Sequence, residues 1–541
     1  MRRRSQRRTL RGTRGARAAA LGLAIAVALL PEVAAARRVV LVGIDGGSWN
    51  AIDPLLAAGE LPNLAALAAS GVHAELDTVE PVISPVVWTS IATGVAPGRH
   101  GIQHFLATRL DLATPTIFER LAAQGHRVGL YDWLVMWPPP VLERGFVVPG
   151  WLRRDATVTP ADLWTRAGVT PWTNSYQNLR MREAYLENAR SELAEKPPRF
   201  RRLVERFDCD VAAVVFYGVD AVSHRFWRAS YASDFADATH AERAAAARPV
   251  QEILRGTDRA LGEIRAWLAP EDVLIVVSDH GFQANPEGSV VWESHLDRAL
   301  GPEGLVPDRD AFSVLSEFGG LVVRVHPGPF AEREALLERL RELVASVRTR
   351  AGEPLYTVEL VDVAERPPEA RRGLLARLRQ VGVRLYLRWR FGVTLDSPAH
   401  AYLVAGPQGE LLEMLWPDGE IAIGGSRLGV SELFSRDAFS GRHLSTAIFL
   451  AAGGPLLHRA GRDRISVLDV APLVAWLAGE AIPDDLEGEL PHRWLDPREL
   501  DRHPPREAPA PVVPLARARP GAPGLDDGAM TERLRRLGYV E

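Results

Sequence analysis

Three short apolar runs, each closing on an acidic residue, constrain this chain more than anything else in it. Val39–Ile44 leads into Asp45-Gly46. Val211–Tyr217 is followed by Asp220 and His224, and Val273–Val277 by Asp279-His280-Gly281. Continuous β-branched runs of this length, without polar alternation, read as central parallel strands buried on both faces. Ligands of open α/β sheets bind beyond the carboxyl ends of such strands. Residues roughly 230 positions apart are therefore expected on one rim. The set gathered there, Asp45, Asp220, His224, Asp279 and His280, has the chemistry that holds hard-to-borderline divalent cations.

At 541 residues the chain can bury a large core and hold more than one folding unit. Its net charge of −4 argues against a nucleic-acid polymer as partner. Of 64 basic residues only Lys196 is a lysine, a bias read as genomic composition. Cys209 is the sole cysteine, which rules out an intrachain disulfide and a cysteine-based zinc site. Its place beside an apolar strand suggests a buried, inert thiol.

Residues 1–36 read as a signal peptide or, uncleaved, a membrane anchor. Eight arginines between Arg2 and Arg17 precede the apolar run Ala18–Leu30, and Ala34-Ala35-Ala36 supplies a cleavage site. Arg7-Arg8 loosely resembles a twin-arginine export signal. The expected protein is exported, to periplasm or extracellular space.

A helix is expected from about Asn63 to Ser70 and a strand at Val128–Tyr131. Residues 138–205, rich in Pro, Trp and Arg, show no clean period and read as an insertion on the rim. Residues 283–440 read as an inserted cap, with an amphipathic helix over Phe330–Val347. Within it, 371–391 is basic and interleaved with aromatics, a candidate for peripheral membrane contact, with strand-like alternation over Val383–Phe391. Core character returns with a strand at Ala447–Ala452 and a helix at Val470–Leu477, so the core is 37–282 and 441–500. Residues 501–541 read as a proline-rich strap, with seven prolines in 504–523, and a docking helix at Thr531–Val540.

In Ser84-Pro85-Val86-Val87-Trp88-Thr89-Ser90-Ile91-Ala92-Thr93-Gly94, Ser84 suits a helix N-cap, Pro85 the first helical position and Gly94 the stop. The plain reading is that Ser84 only caps. A hydroxyl at a helix N-terminus beside a divalent cation can instead serve as a nucleophile. Adjacent Asp279-His280 just past a buried strand is the stronger signal, with a structural hydrogen-bonded pair as its alternative, and His443, in Gly441-Arg442-His443, reads alone as a surface residue.

Taken together, the chain resembles the alkaline phosphatase superfamily, in its type I phosphodiesterase/nucleotide pyrophosphatase branch. The resemblance rests on Val42-Gly43-Ile44-Asp45-Gly46, the Ser84–Gly94 stretch, Pro97-Gly98-Arg99-His100-Gly101-Ile102, Val277-Ser278-Asp279-His280-Gly281-Phe282 and Gly441-Arg442-His443. It implies an α/β fold with a mostly parallel central sheet flanked by helices. It further implies two divalent metal ions, Zn²⁺ first with Mn²⁺ or Mg²⁺ as alternatives. One would be held by Asp45, Asp279 and His280, with Ser84 also reaching that metal as the activated nucleophile, the other by Asp220, His224 and His443. The implied substrate is a small-molecule or lipid-head-group phosphate ester.

Serine stands where the nucleotide pyrophosphatases usually carry threonine. Serine is the choice of the superfamily's phosphomonoesterases, so both ester classes stay open, and no phosphate-clamping arginine is identifiable. His100 and His104 read as structural. A sulfatase would need proline two residues after the nucleophile and arginine two beyond, whereas Pro85 is adjacent. A phosphoglycerate mutase, a phosphoethanolamine transferase or a non-catalytic envelope binding protein are the other readings. Oligomeric state is not legible.

Overall fold

The computed structural model describes residues 37–515 apart from 104–106, 151–155, 173–175, 177–181, 246–247, 295–304, 306–310, 318–319, 327–328, 363–400, 408, 416–417 and 424–425. The leader, His104, the basic stretch 371–391 and the helix expected at Thr531–Val540 lie outside these residues.

The centre is an eight-stranded sheet. Its strands are β1 (Val39–Ile44), β2 (Val72–Asp77), β3 (Val128–Trp133), β4 (Gly145–Pro149), β5 (Val211–Phe216), β6 (Val273–Val277), β7 (Thr446–Ala452) and β8 (Asp463–Ser466). In space they run β8-β2-β7-β6-β1-β5-β3-β4. Only β7 runs against its neighbours β2 and β6; all other pairs are parallel. The mostly parallel α/β sheet flanked by helices is therefore what forms.

Side chains alternate across a strand, so a run apolar at every position must meet a core on each face. Val39 and Leu41, Ala213 and Val215, and Ile275 and Val277 join one cluster. Val40 and Val42, Ala212 and Val214, and Leu274 and Val276 join the other. The first face is covered by α1 (Ser84–Thr93), buried along its whole length, and by the helix Val470–Leu477. The second carries α2 (Arg182–Phe207), α3 (Gly218–Ser230) and α4 (Pro249–Arg265).

One expectation fails here. Residues 138–205 are not a rim insertion throughout: β4 closes the sheet edge, and α2 packs Ala189, Leu193, Phe200, Leu203 and Val204 onto the core. The helical period was masked by Glu192 and Lys196 on the buried face and by Pro197-Pro198 inside the helix, where prolines normally break helices. The helix expected at Phe330–Val347 forms and ends at Ala345.

Beyond β6 the chain leaves the core on a two-stranded antiparallel ribbon, Gly281–Ser294 against Phe434–Leu444, with Phe282 opposite His443. Between its strands lies a four-stranded sheet in the order Tyr356–Asp362, Ala401–Pro407, Gly320–Val325, Phe312–Glu317. A hydrophobic cluster separate from the two cores, spanning Leu305 to Phe434, holds this region. Of the proline-rich stretch, Glu507–Ala508 pairs with Ile482–Pro483. Among the described residues no helix is long and apolar enough to cross a membrane.

Candidate active site

The carboxyl ends of β1, β5 and β6 meet at one rim because the three strands are adjacent and in register, with Gly43 level with Val215 and Val277. Asp45 follows β1 and is fixed by its backbone: its N–H donates to Phe216 O (2.9 Å) and its carbonyl accepts from Asp220 N (3.0 Å). The turn closes at Gly46, whose φ of 74° suits glycine. A Cβ there would lie 2.8 Å from the Phe282 ring and 3.0 Å from the Asp220 Cα, so only glycine lets these backbones approach.

Ser84 is the first residue of α1, with Ile83 in the N-cap position and no side-chain cap bond. The N-cap position that the local pattern suits is thus taken by Ile83, and the alternative reading of Ser84 as a cap alone does not hold. Its Oγ instead lies 3.4 Å from Asp45 Oδ1 and 3.4 Å from His280 Nε2. One helical turn on, Trp88 faces the same way. Its indole N–H donates to Asp45 Oδ2 (3.1 Å), which leaves Oδ1 directed at the serine.

The three histidines share one arrangement. Nδ1 of His224 faces the carbonyl of Gly441 (3.2 Å), Nδ1 of His280 that of Gly281 (3.1 Å), and Nδ1 of His443 that of Val82 (2.8 Å). A carbonyl only accepts, so each Nδ1 carries the proton and each Nε2 is left with its lone pair. These Nε2 atoms converge. His224 and His443 stand 3.1 Å apart at Nε2, and the His280 and His443 rings stack at 3.5 Å between centroids.

Carboxylates complete the cluster. Asp220 Oδ1 lies 3.3 Å from His224 Nε2, 3.4 Å from His443 Nε2 and 3.9 Å from His280 Nε2. His280 Nε2 lies 3.3 Å from Asp279 Oδ2 and 3.5 Å from Asp45 Oδ1. Asp45, Asp279 and His280 form one group with ligand atoms mutually within 4.8 Å, and Asp220, His280 and His443 form another. His224 joins the second group by the distances above. All seven residues expected at the site are thus brought together, and His280 reaches both groups rather than one.

This arrangement is costly without a cation. Among the described residues Asp220 Oδ1 and Asp279 Oδ2 are buried without a well-formed hydrogen bond, although, against burial, the imidazoles of His224 and His443 beside Asp220 hold its carboxyl well below the usual range. Burial, then the neighbouring carboxylates Asp279 and Asp220, push the Asp45 carboxyl well above its usual range, and Asp279 is raised by burial and by Asp220. His280 is lowered by burial and by His443, and His224 chiefly by burial, which favours the neutral imidazole in both. A cluster of carboxylate oxygens and neutral imidazoles fits a divalent cation.

A pH dependence follows. With no cation bound, the raised pKa values of Asp45 and Asp279 stabilise the fold fully below the ordinary carboxyl value of 3.8, and that contribution is lost as pH rises through the raised values. A cation must displace those protons. Metal binding is therefore expected to release protons and to weaken as pH falls, so the rise in melting temperature on adding metal grows with pH. Thermal melts with EDTA or with metal, across pH, check this; a metal-induced shift independent of pH would contradict it.

His100 stands apart. Ile102 N–H donates to its Nδ1 (3.1 Å), its Nε2 contacts Ser90 Oγ (2.9 Å), and burial lowers its pKa to about 4. It is a packing residue, as expected. The sequence reading missed Trp88, although its spacing of four from Ser84 was visible. It also missed the buried charges Glu192 and Lys196, for which the solitary lysine was the available signal.

Acidic and imidazole side chains gathered beyond the carboxyl ends of the central strands make a site with the donor set of a divalent cation, at the place where open α/β sheets bind their ligands. The chain belongs to the type I phosphodiesterase / nucleotide pyrophosphatase family, whose model matches residues 39–374. It is an enzyme, a hydrolase of phosphoric esters. No curated protein matches it. Among solved structures it is similar to murine ectonucleotide pyrophosphatase / phosphodiesterase 5, at 16% identity and a TM-score of 0.37, covering 84% of this chain and 98% of that one. It is also similar to phosphonoacetate hydrolase from Sinorhizobium meliloti 1021 in complex with phosphonoformate, at 16% identity and a TM-score of 0.37, covering 81% and 94%.

Proposed function

We propose that this chain is an exported, two-metal hydrolase of phosphoric esters in which Ser84 is the nucleophile. The observation that carries the reading is the Ser84 hydroxyl, buried at the start of α1 within 3.4 Å of both Asp45 Oδ1 and His280 Nε2. A serine that merely capped its helix would turn its oxygen back to the backbone.

Asp45, Asp279 and His280 would hold the ion beside Ser84, and Asp220, His224 and His443 the other, with His280 within reach of both. Mixed nitrogen and oxygen donors suit Zn²⁺, with Mn²⁺ or Mg²⁺ as alternatives. Two such cations supply Lewis acidity, lowering the pKa of the serine hydroxyl and neutralising charge on the phosphoryl group.

The chain's own residues do the rest. Ser84 Oγ gives up its proton and bonds to phosphorus as the bond from phosphorus to the ester oxygen breaks on the opposite side, that oxygen leaving as the alcohol with a proton and a phosphoseryl enzyme remaining. Water then bonds to phosphorus as the bond to Oγ breaks, one of its protons passing to Oγ and restoring the serine. The N-terminus of α1 directs its partial positive charge at the transferring group. Trp88 keeps Asp45 turned so that one oxygen faces Ser84 throughout.

The substrate is a small-molecule or lipid-head-group phosphate ester, diester or monoester. The region carried by the ribbon acts as the cap that shapes its binding. EDTA is expected to remove activity, and Zn²⁺, Mn²⁺ or Mg²⁺ to restore it. Assaying p-nitrophenyl phosphate against bis-p-nitrophenyl phosphate on protein purified without the leader ranks the ester classes. Cleavage of neither, with metal bound, would overturn the hydrolase reading in favour of a transferase or a binding role.

A further inference from the structure

Lys196 is the only lysine in a chain with 64 basic residues, and it is fully buried. An ammonium presents three rotatable donors on a compact head, where a guanidinium would present a planar fork of five. Three acceptors surround its three N–H bonds: Glu192 Oε1 at 2.6 Å, Val215 O at 2.7 Å and Asp132 Oδ2 at 2.9 Å. The rings of Tyr217, Trp172 and Phe216 stand 5.0, 5.1 and 5.4 Å from Nζ and help hold the charge out of water. Burial alone would discharge the lysine. Asp132 and Glu192 outweigh it and lift its pKa above the ordinary value.

What this cage holds is the entry to α3. Glu192, fully buried, accepts the N–H of Tyr217 (3.0 Å) and of Gly218 (2.8 Å), the residues at which α3 begins. Tyr176 donates its hydroxyl to the same carboxylate (2.8 Å). An anion on the first amides of a helix is favoured by their free N–H groups and by the helix dipole. Asp220 lies two residues beyond Gly218, and His224 one further turn along the same face. Lys196 thus links the ends of β3 and β5 to the helix that carries these two side chains. Asp45 instead follows β1 directly, and Asp279 lies two residues past the end of β6.

We infer that Lys196 and Glu192 are positioning residues that set Asp220 and His224 for the cation they share with His443. This rests on the proposed two-cation site, and it predicts a selective effect: weakening at one cation position and not at the other. A buried pair that served only the fold would lower stability and leave the ratio of the two affinities alone.

The test is Zn²⁺ titration, by calorimetry with a competing chelator, of the EDTA-stripped full chain. Asp220→Ala and Asp279→Ala identify which binding step belongs to which position. Lys196→Met removes the charge at similar length. It leaves two buried carboxylates without their cation, so Glu192→Gln, which keeps the shape, is measured beside it. In whichever variant keeps the wild-type circular dichroism, the step lost in Asp220→Ala is expected to weaken about 10- to 100-fold, the usual effect of removing a group that orients a ligand. The step lost in Asp279→Ala is expected to hold its affinity. Unchanged affinity at both steps, or an equal fall in both, would overturn the inference. A wild-type chain that takes up no Zn²⁺ would overturn the two-cation reading itself.

Discussion

Ser84→Ala is expected to abolish ester cleavage while leaving metal content unchanged. The substitution removes one oxygen from a buried position and leaves Asp45, Asp220, Asp279 and the three histidines in place. Alanine is an equally good helix residue, and Ile83 rather than Ser84 holds the N-cap, so α1 loses no cap bond. Stability should barely move. Turnover should fall by on the order of 10⁴- to 10⁶-fold, the loss seen when a hydrolase loses its nucleophile. Direct attack by water, assisted by the remaining cluster, would account for what is left. Acid quenching of the wild-type enzyme during turnover should place phosphate on the peptide containing Ser84, and the variant should yield none. A variant that kept activity within about tenfold would reduce Ser84 to a binding role and make water the first attacking group.

The parts of this site that were legible in the sequence share a physical cause. Strands buried on both faces admit no polar residue, so Val39–Ile44, Val211–Phe216 and Val273–Val277 stand out, and so do the first acids after them. The helix that follows Ser84 was equally plain, being bounded by Pro85 and Gly94. Hidden were features that depend on contacts between distant segments. The surroundings of the Ser84 hydroxyl are decided by where Asp45 and His280 lie, not by its own neighbours, and its local pattern alone reads as a cap. α2 was concealed by the charges it buries. Glu192 and Lys196 satisfy each other one helical turn apart, and that pairing lets a polar face point inward. His443 was weak in isolation. It gains its meaning from the ribbon, which places it opposite Phe282 and against the ring of His280.

The reach of His280 into both groups sets the last expectation, a contrast between two variants. Asp279 touches only the group beside Ser84, so Asp279→Ala should lower bound metal from about two ions per chain to about one and remove turnover. His280 Nε2 lies near Asp45, Asp279 and Asp220 alike, and its ring supports that of His443. Replacing it should weaken both positions together. His280→Gln keeps most of the volume under the His443 ring, so that loss of a ligand is not confused with collapse of a fully buried pocket. Its metal content, measured by atomic absorption after gel filtration, should fall below that of Asp279→Ala, with turnover abolished in both. Equal metal content in the two variants would assign His280 to a single ion. The pairing of Asp45, Asp279 and His280 against Asp220, His224 and His443 would then stand as two separate triads.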